Sequence, residues 1–513
     1  MNSSMKKRYS FTVLIAASLL RFNCSTDNNL MKDPTVEIES GLVRGTINSE
    51  SGIVAFKGIP YAAPPTEDLR WREPQPPVAW EGVRDASEFC SSCMQNKLLT
   101  HVPNGPWSEE FMVQNDVSED CLFLNIWTPA KSAKNKLPVF VYIHGGAFRE
   151  GSGAIDVYDG EEPAKKGIVV VTINYRLGPF GFLAHPELTA ESPHHSSGNY
   201  AFLDQLAALK WIKNNIDAFG GDPSCVTIAG QSAGAASVHA LIASPLAKDL
   251  FHRAITQSGS SFTRGWRRGS KTLNDAEKQG VEFATLKGAL SIAELRALPA
   301  EDILAATEPP MRFGGILDGY FHTDEMMTVF AEGKQNDTPF MTGLNADETR
   351  YNGKVDEEFK TLYPSNSEKE EAAAIKAAGQ EQSRLNAYLW LQYRDKTSNT
   401  DGYLYFFNRA IPWPDYPQFG AFHTGEVPYV FNNLKMLDRP WTKVDTLVAA
   451  RISSYWANFI KTGNPNGADL PQWAAYDSTK QEAMCLGEKM GMIPIAADKE
   501  KFHFLKKQLL DNN

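Results

Sequence analysis

The segment that most constrains this chain runs Cys225-Val-Thr-Ile-Ala-Gly-Gln-Ser-Ala-Gly234 and continues Ala-Ala-Ser-Val-His-Ala-Leu-Ile-Ala-Ser. A short apolar β run leads into G-x-S-x-G, and a helix-forming run of small and aliphatic residues follows. Glycines flank Ser232 because a strand-to-helix turn this tight leaves no room for side chains. The turn lifts the serine hydroxyl above the sheet, and the helix N-terminus behind it offers positive dipole where an oxyanion would form. G-x-S-x-G alone recurs by chance, so it is the strand before and the helix after that mark Ser232 as a nucleophile.

The segments at 139–143, 168–173 and 226–229 are apolar on both faces, as buried parallel strands are. Between them, Tyr200 to Ile216 places apolar residues at 202, 203, 206, 209, 212 and 216, a helical period. Strand–helix–strand alternation predicts a layered α/β sheet. Later helical patterns at 274–286, 292–306, 368–392 and 446–461 interrupt strand signals at 339–343 and 403–408. Residues 36–60 read as short strands and turns ahead of a Pro-rich loop to Pro77. The chain has 513 residues, 42% hydrophobic and 22% charged, a globular composition. With no internal repeat, 36–513 is expected to form one large domain. A net charge of −10 with scattered Lys and Arg argues against nucleic acid as a partner.

The N-terminus differs. Met5-Lys-Lys-Arg8 precedes an apolar run, Ser10 to Leu20, too short for a permanent membrane span but of the length of an export signal's core. Residues 1–23 are therefore expected to direct export, to the periplasm or the exterior, and 24–35 to form a polar tether. Cys24 stands where a bacterial lipoprotein carries its lipid anchor, although Arg21-Phe22-Asn23 lacks the small residues expected before such a cysteine. Five cysteines remain: Cys90, Cys93, Cys121, Cys225 and Cys485. Their spacing matches no zinc site.

A serine nucleophile needs oxyanion donors, a base and an acid. The 139–143 strand runs into His144-Gly-Gly-Ala-Phe148, where small residues let backbone N–H groups close on a ligand. In chain order the acid and then the histidine should follow Ser232. His252 lies in a helix-like stretch, His503 in a charged C-terminal tail, and His322 precedes the acid candidates. His423 remains, in a loop of glycines and aromatics. The acid candidates, Asp347 and Glu348, end the strand signal at 339–343, and spacing does not choose between them.

These residues resemble the type-B carboxylesterases, the carboxylesterase–cholinesterase family of α/β-hydrolases, over about 36–495. The resemblance rests on Phe56-Lys-Gly-Ile-Pro-Tyr-Ala-Ala-Pro-Pro, Leu69-Arg-Trp, Ser118-Glu-Asp-Cys-Leu-Phe-Leu-Asn125 and His144-Gly-Gly-Ala-Phe. It continues through Asn174-Tyr-Arg-Leu-Gly-Pro-Phe-Gly-Phe-Leu183, Phe219-Gly-Gly-Asp-Pro, Gly230-Gln-Ser-Ala-Gly, Gln257-Ser-Gly and Tyr455-Trp-Ala-Asn-Phe-Ile-Lys-Thr-Gly-Asn-Pro-Asn466. It implies a large, mostly parallel sheet with helices on both faces and helical insertions. It also implies a Ser232–Glu348–His423 triad and oxyanion donors at Gly146, Ala147 and Ala233. A Cys93–Cys121 disulfide and ion pairs Arg70–Glu119 and Arg176–Asp204 follow from it, with Ser258 supporting the triad. The implied reaction hydrolyses a small-molecule ester through an acyl-enzyme and needs no metal or organic cofactor.

Three departures from the family pattern stand out. Gln231 replaces the usual Glu before the nucleophile, which argues for neutral rather than choline esters. Thr349 replaces a Gly after the acid, and Ala147 replaces the third glycine of the oxyanion loop. Substrate selectivity is expected from loops 94–118, 310–330 and 405–422, with Trp107, Trp413 and Tyr416 as candidates for an aromatic wall.

Overall fold

The apolar runs become the centre of one large sheet. In the computed structural model, residues 29–97, 101–259 and 271–511 are described, so the expected export segment and Cys24 lie outside the described residues. Eleven strands form the sheet: β1 (Thr46–Ile47), β2 (Val54–Pro60), β3 (Phe123–Thr128), β4 (Leu137–Ile143), β5 (Val169–Ile173), β6 (Gly221–Gln231), β7 (Arg253–Gln257), β8 (Phe340–Asn345), β9 (Gly402–Phe407), β10 (Glu482–Leu486) and β11 (Gly491–Pro494). Their spatial order is β11-β10-β9-β8-β7-β6-β4-β5-β3-β2-β1. Pairing is parallel from β10 across to β5 and antiparallel at both edges. The central strands β4, β5, β8 and β9 are buried almost without exception, which explains their lack of apolar–polar alternation.

Helices cover this sheet. The helices α1 (Tyr200–Asn215) and α2 (Ala233–Ala243) pack together, and α2 lies along β4, β6 and β7. Helix α3 (Glu368–Arg394) extends that layer over β8 and β9, while α4 (Lys443–Thr462) lies on β4 and β6. Every residue of α2 but one is buried, so its small side chains reflect close packing rather than an amphipathic surface. The start of α4 is set by a reciprocal cap between Thr442 and Asp445, and its end by Gly463 at φ 81°.

Three expectations are corrected. The stretch around His252 is not helical: Arg253–Gln257 is β7, inserted in parallel between β6 and β8. A stretch this short, with Leu250, Phe251, Ala254 and Ile255 as its apolar residues, fits either period, and sheet pairing decides. The 292–306 pattern is two short helices, Ile292–Arg296 and Ala300–Leu304, separated at Pro299. The charged C-terminal tail is a helix, α5 (Lys499–Asp511), whose Phe502, Phe504, Leu505 and Leu509 are buried where it packs on α3.

Several links tie the front of the sheet together. Cys93 and Cys121 form a disulfide across 28 residues, a closure worth about 3 kcal/mol on the chain-entropy account. Cys90, Cys225 and Cys485 are free thiols. Arg176 binds Asp204 through two hydrogen bonds of 2.7 and 2.8 Å in full burial. Arg70 grips Glu119 and also the carbonyls of Arg296 and Leu298. Removing one partner of such a buried pair strands the other's charge, so these links lock the arrangement more than they add net stability.

Candidate active site

Ser232 occupies the turn between β6 and α2 with φ 56° and ψ −119°, a strained conformation for a residue with a side chain. The turn closes so tightly that a Cβ on Gly234 would lie 2.0 Å from the Ile143 carbonyl oxygen. The Ser232 N–H donates to the Gln257 carbonyl at 2.9 Å, pinning the elbow to β7. In-register pairing of Ile143 with Gly230 and Ile173 brings the ends of β4, β5 and β6 level. Loops leaving those carboxyl ends therefore converge, as ligand sites of open α/β sheets do.

The loop after β4 faces the elbow. Gly146 has φ 103°, and a Cβ there would collide with the Glu150 carbonyl at 2.0 Å. Ala147 and Phe148 follow in the left-handed region at φ 55° and 59°. The turn is held by the Gly146 carbonyl, which accepts from Arg149 and Glu150 N–H at 3.0 and 3.1 Å. Gly145, Gly146 and Ala147 line the same pocket as Ser232 and His423, while Ala233 sits in the first turn of α2. His144 stacks on Tyr175, whose hydroxyl donates to the His144 carbonyl at 2.8 Å. Burial holds that imidazole down to about 4, so it is neutral and structural.

The two acid candidates separate by what they touch. Glu348 Oε2 lies 2.7 Å from His423 Nδ1, and Glu348 Oε1 accepts the Asn345 N–H at 3.1 Å. Asp347 points elsewhere: it accepts the Ala421 N–H at 2.8 Å and pairs with Lys376 at 2.7 Å. Gly420 at φ 56° lets the histidine loop approach this close, since a Cβ there would lie 2.1 Å from Asp347 Oδ2. Both carboxylates thus hold the His423 loop, one by the ring and one by the backbone. Thr349 bonds the Ser383 hydroxyl, tying the acid turn to α3.

The imidazole's other nitrogen, Nε2, is 3.1 Å from the Gln231 side-chain nitrogen. Among the described residues it bonds that amide and not the Ser232 hydroxyl. Apo sites commonly show such unformed nucleophile–base contacts. Burial alone would lower the His423 pKa. The hydrogen bond and charge of Glu348 outweigh it and raise the imidazole above its ordinary value.

Sequence reasoning missed Glu426, three residues beyond His423. It is 1% exposed, and its oxygens accept from the Asn345 and Gln257 side-chain amides. Burial first, and Glu348 second, push its carboxyl up to about 7 from 4.5. Only its place three residues after His423 could have singled it out. Because the folded pKa exceeds the unfolded one, the stabilisation from keeping this group neutral is complete below pH 4.5 and lost as pH rises through about 7. Glu426→Gln cannot ionise. Comparing melting curves from about pH 5 to about pH 8, wild type is expected to lose up to about 3 kcal/mol relative to the variant. Parallel curves would mean the carboxyl is already charged at the acid end.

The pocket before Ser232 has a volume of about 350 Å³ and walls from Phe111, Met112, Val113 and Ile155. Trp107 and His423 separate it from a larger, polar hollow of about 800 Å³ behind Glu348. Trp107 is fixed by donating to the Thr424 hydroxyl at 3.0 Å and meets His423 edge to face. Trp413 and Tyr416 are not part of this wall; they pack with Phe419, and Arg439 lies 3.9 Å over the Trp413 ring. Ser258 lines the rear hollow, and its buried hydroxyl bonds no member of the site. Of the three selectivity loops, 94–118 alone contributes to the pocket before Ser232; Pro310, Met311 and Phe313 line a neighbouring pocket of about 280 Å³. Among the described residues, no group of three or more His, Cys, Asp or Glu is placed to hold a metal ion.

Comparison with known proteins places this arrangement. The sequence model of the Carboxylesterase family matches residues 32–402 and 364–505. The chain is 36% identical to fumonisin B1 esterase of Sphingopyxis macrogoltabida over 515 residues, 94% of this chain and 91% of that protein. It is 34% identical to para-nitrobenzyl esterase of Bacillus subtilis over 496 residues, 90% of this chain and 96% of that one. A crystal structure of a Geobacillus stearothermophilus carboxylesterase superimposes with a TM-score of 0.73 at 30% identity, covering 92% of this chain and 99% of the other. The fold is that of an α/β-hydrolase, and the molecule is a carboxylic-ester hydrolase. The chain belongs to the carboxylesterase family.

Proposed function

We propose that the enzyme cleaves neutral small-molecule esters through an acyl-enzyme on Ser232, with His423 as base and Glu348 as its acid. The observation that carries this is the 2.7 Å contact between Glu348 and His423 Nδ1, with the other face of the imidazole in the same pocket as Ser232. Nδ1 carries the proton donated to Glu348, which leaves Nε2 as the acceptor. His423 takes the Ser232 proton as Oγ attacks the carbonyl carbon, and the carbonyl electrons move onto oxygen. The N–H groups of Gly146, Ala147 and Ala233 receive that oxyanion; one such donor is worth about 3 kcal/mol. His423 then protonates the departing alcohol, and water repeats the sequence on the acyl-enzyme.

Neutral substrates fit the lining. Apolar side chains dominate the pocket near the nucleophile. Burial raises the pKa of the Glu150 carboxyl, and the Arg149 guanidinium stands exposed at the rim, a positive charge that disfavours a quaternary ammonium. The Cys93–Cys121 disulfide supports an exported enzyme, since such bonds persist in oxidising compartments; Cys24 is the residue available for a lipid anchor. A fluorophosphonate probe tests the core of this reading. It is expected to modify one peptide, the one bearing Ser232; modification of another serine would reject the nucleophile.

A further inference from the structure

His423 Nε2 must receive the Ser232 proton, yet in this structure that nitrogen is engaged by the Gln231 side chain at 3.1 Å. Gln231 is 2% exposed and ends β6, immediately before the elbow, so its amide has little freedom to turn toward solvent. Glu348 holds Nδ1 at 2.7 Å and there accepts a proton, so the lone pair of the neutral ring lies on Nε2. The group facing that lone pair is an amide nitrogen, which can only donate. A carboxylate in the same place would do the opposite, favouring a proton on Nε2 and an imidazolium before any substrate arrives.

We propose that Gln231 is a positioning residue of the reaction: its amide caps Nε2 of His423 in the resting site, keeps the ring in its Nδ1–H form, and yields that nitrogen to the Ser232 hydroxyl when an ester binds. This rests on Ser232 and His423 acting as nucleophile and base. In the step itself the hydroxyl proton passes to Nε2 while the Oγ–carbon bond forms, and Gln231 neither gains nor loses a proton. The amide thereby provides an uncharged floor beneath the leaving alcohol and keeps the base unprotonated at a pH where a carboxylate would hold it charged.

Other groups near His423 do not change in the variants that test this. Behind the ring stand Glu348 and Glu426, with Tyr405 buried beside these carboxylates. Across the pocket stand His101, Arg149, Glu150 and Tyr158. Glu426 titrates in the same range in wild type and in those variants, so it is the difference between their acidic limbs of kcat/KM that reports the environment of His423.

The test compares wild type, Gln231→Glu and Gln231→Met on a neutral p-nitrophenyl ester across pH. It also follows His423 by 15N NMR in histidine-labelled protein. Gln231→Glu is expected to move the acidic limb up by one pH unit or more, on the order of a tenfold loss at acid pH that disappears at alkaline pH. Gln231→Met fills similar space without a donor. It is expected to leave the limb within about half a unit while the Nε2 resonance moves to the position of an unbonded lone pair. An unchanged Nε2 resonance in Gln231→Met, or superimposable limbs for wild type and Gln231→Glu, overturns the cap. Full turnover by Ser232→Ala would instead overturn the nucleophile on which it rests. The two failures are thus distinct.

Discussion

Ser232→Ala is expected to lower kcat/KM for p-nitrophenyl acetate by on the order of 10⁵-fold or more while the protein stays folded. The hydroxyl is the only part removed. The backbone of the elbow, at φ 56°, is set by the sheet and by the Gln257 carbonyl rather than by Oγ. Alanine meets the same strain as serine there, so the melting temperature should not fall. What remains is the oxyanion loop, which can still polarise a bound carbonyl and sustain a residual rate above that of water. Steady-state kinetics beside a thermal melt checks both halves. Turnover within tenfold of wild type would remove Ser232 from the mechanism.

The second large effect separates two adjacent carboxylates. Glu348→Gln is expected to lower kcat by on the order of 10⁴-fold, because an amide facing Nδ1 can stabilise the wrong tautomer and cannot balance an imidazolium. Asp347→Asn should cost less than about tenfold. An asparagine oxygen can still accept the Ala421 N–H, and what is lost is chiefly the pairing with the exposed Lys376. Measured at the pH of maximal activity, the ratio of the two losses is the test. Equal losses would mean that the grip on the histidine loop, not charge at the ring, limits turnover.

Much of this was legible because small residues carry steric information. Gly230 and Gly146 stand where the backbone folds back on its own turn, and Gly234 where it meets Ile143 of β4, so their order along the chain marks two tight turns. The core strands declared themselves by burial on both faces. What spacing alone left open was the choice between Asp347 and Glu348. A one-residue step reverses the direction of a side chain, and nothing local says which direction meets His423. Arg253–Gln257 was misjudged because an isolated apolar stretch takes its conformation from the strands that flank it. Glu426 escaped because a buried carboxyl without a basic partner looks, in sequence, like any surface glutamate.

The contact between Gln231 and His423 spans 192 residues of chain, and that between His423 and Glu348 spans 75. Neither is local. Strand β6, which ends just before Ser232, is bordered by β4 and β7, but Glu348 and His423 lie on later segments of the chain. A ribosome therefore releases Ser232 long before His423, the base proposed for it. On the proposed mechanism, a product that ends between Ser232 and His423 has the elbow without its proton acceptor and is expected to be catalytically silent. Esterase turnover would thus report that the chain has been made at least as far as His423 and that this segment has closed onto the sheet.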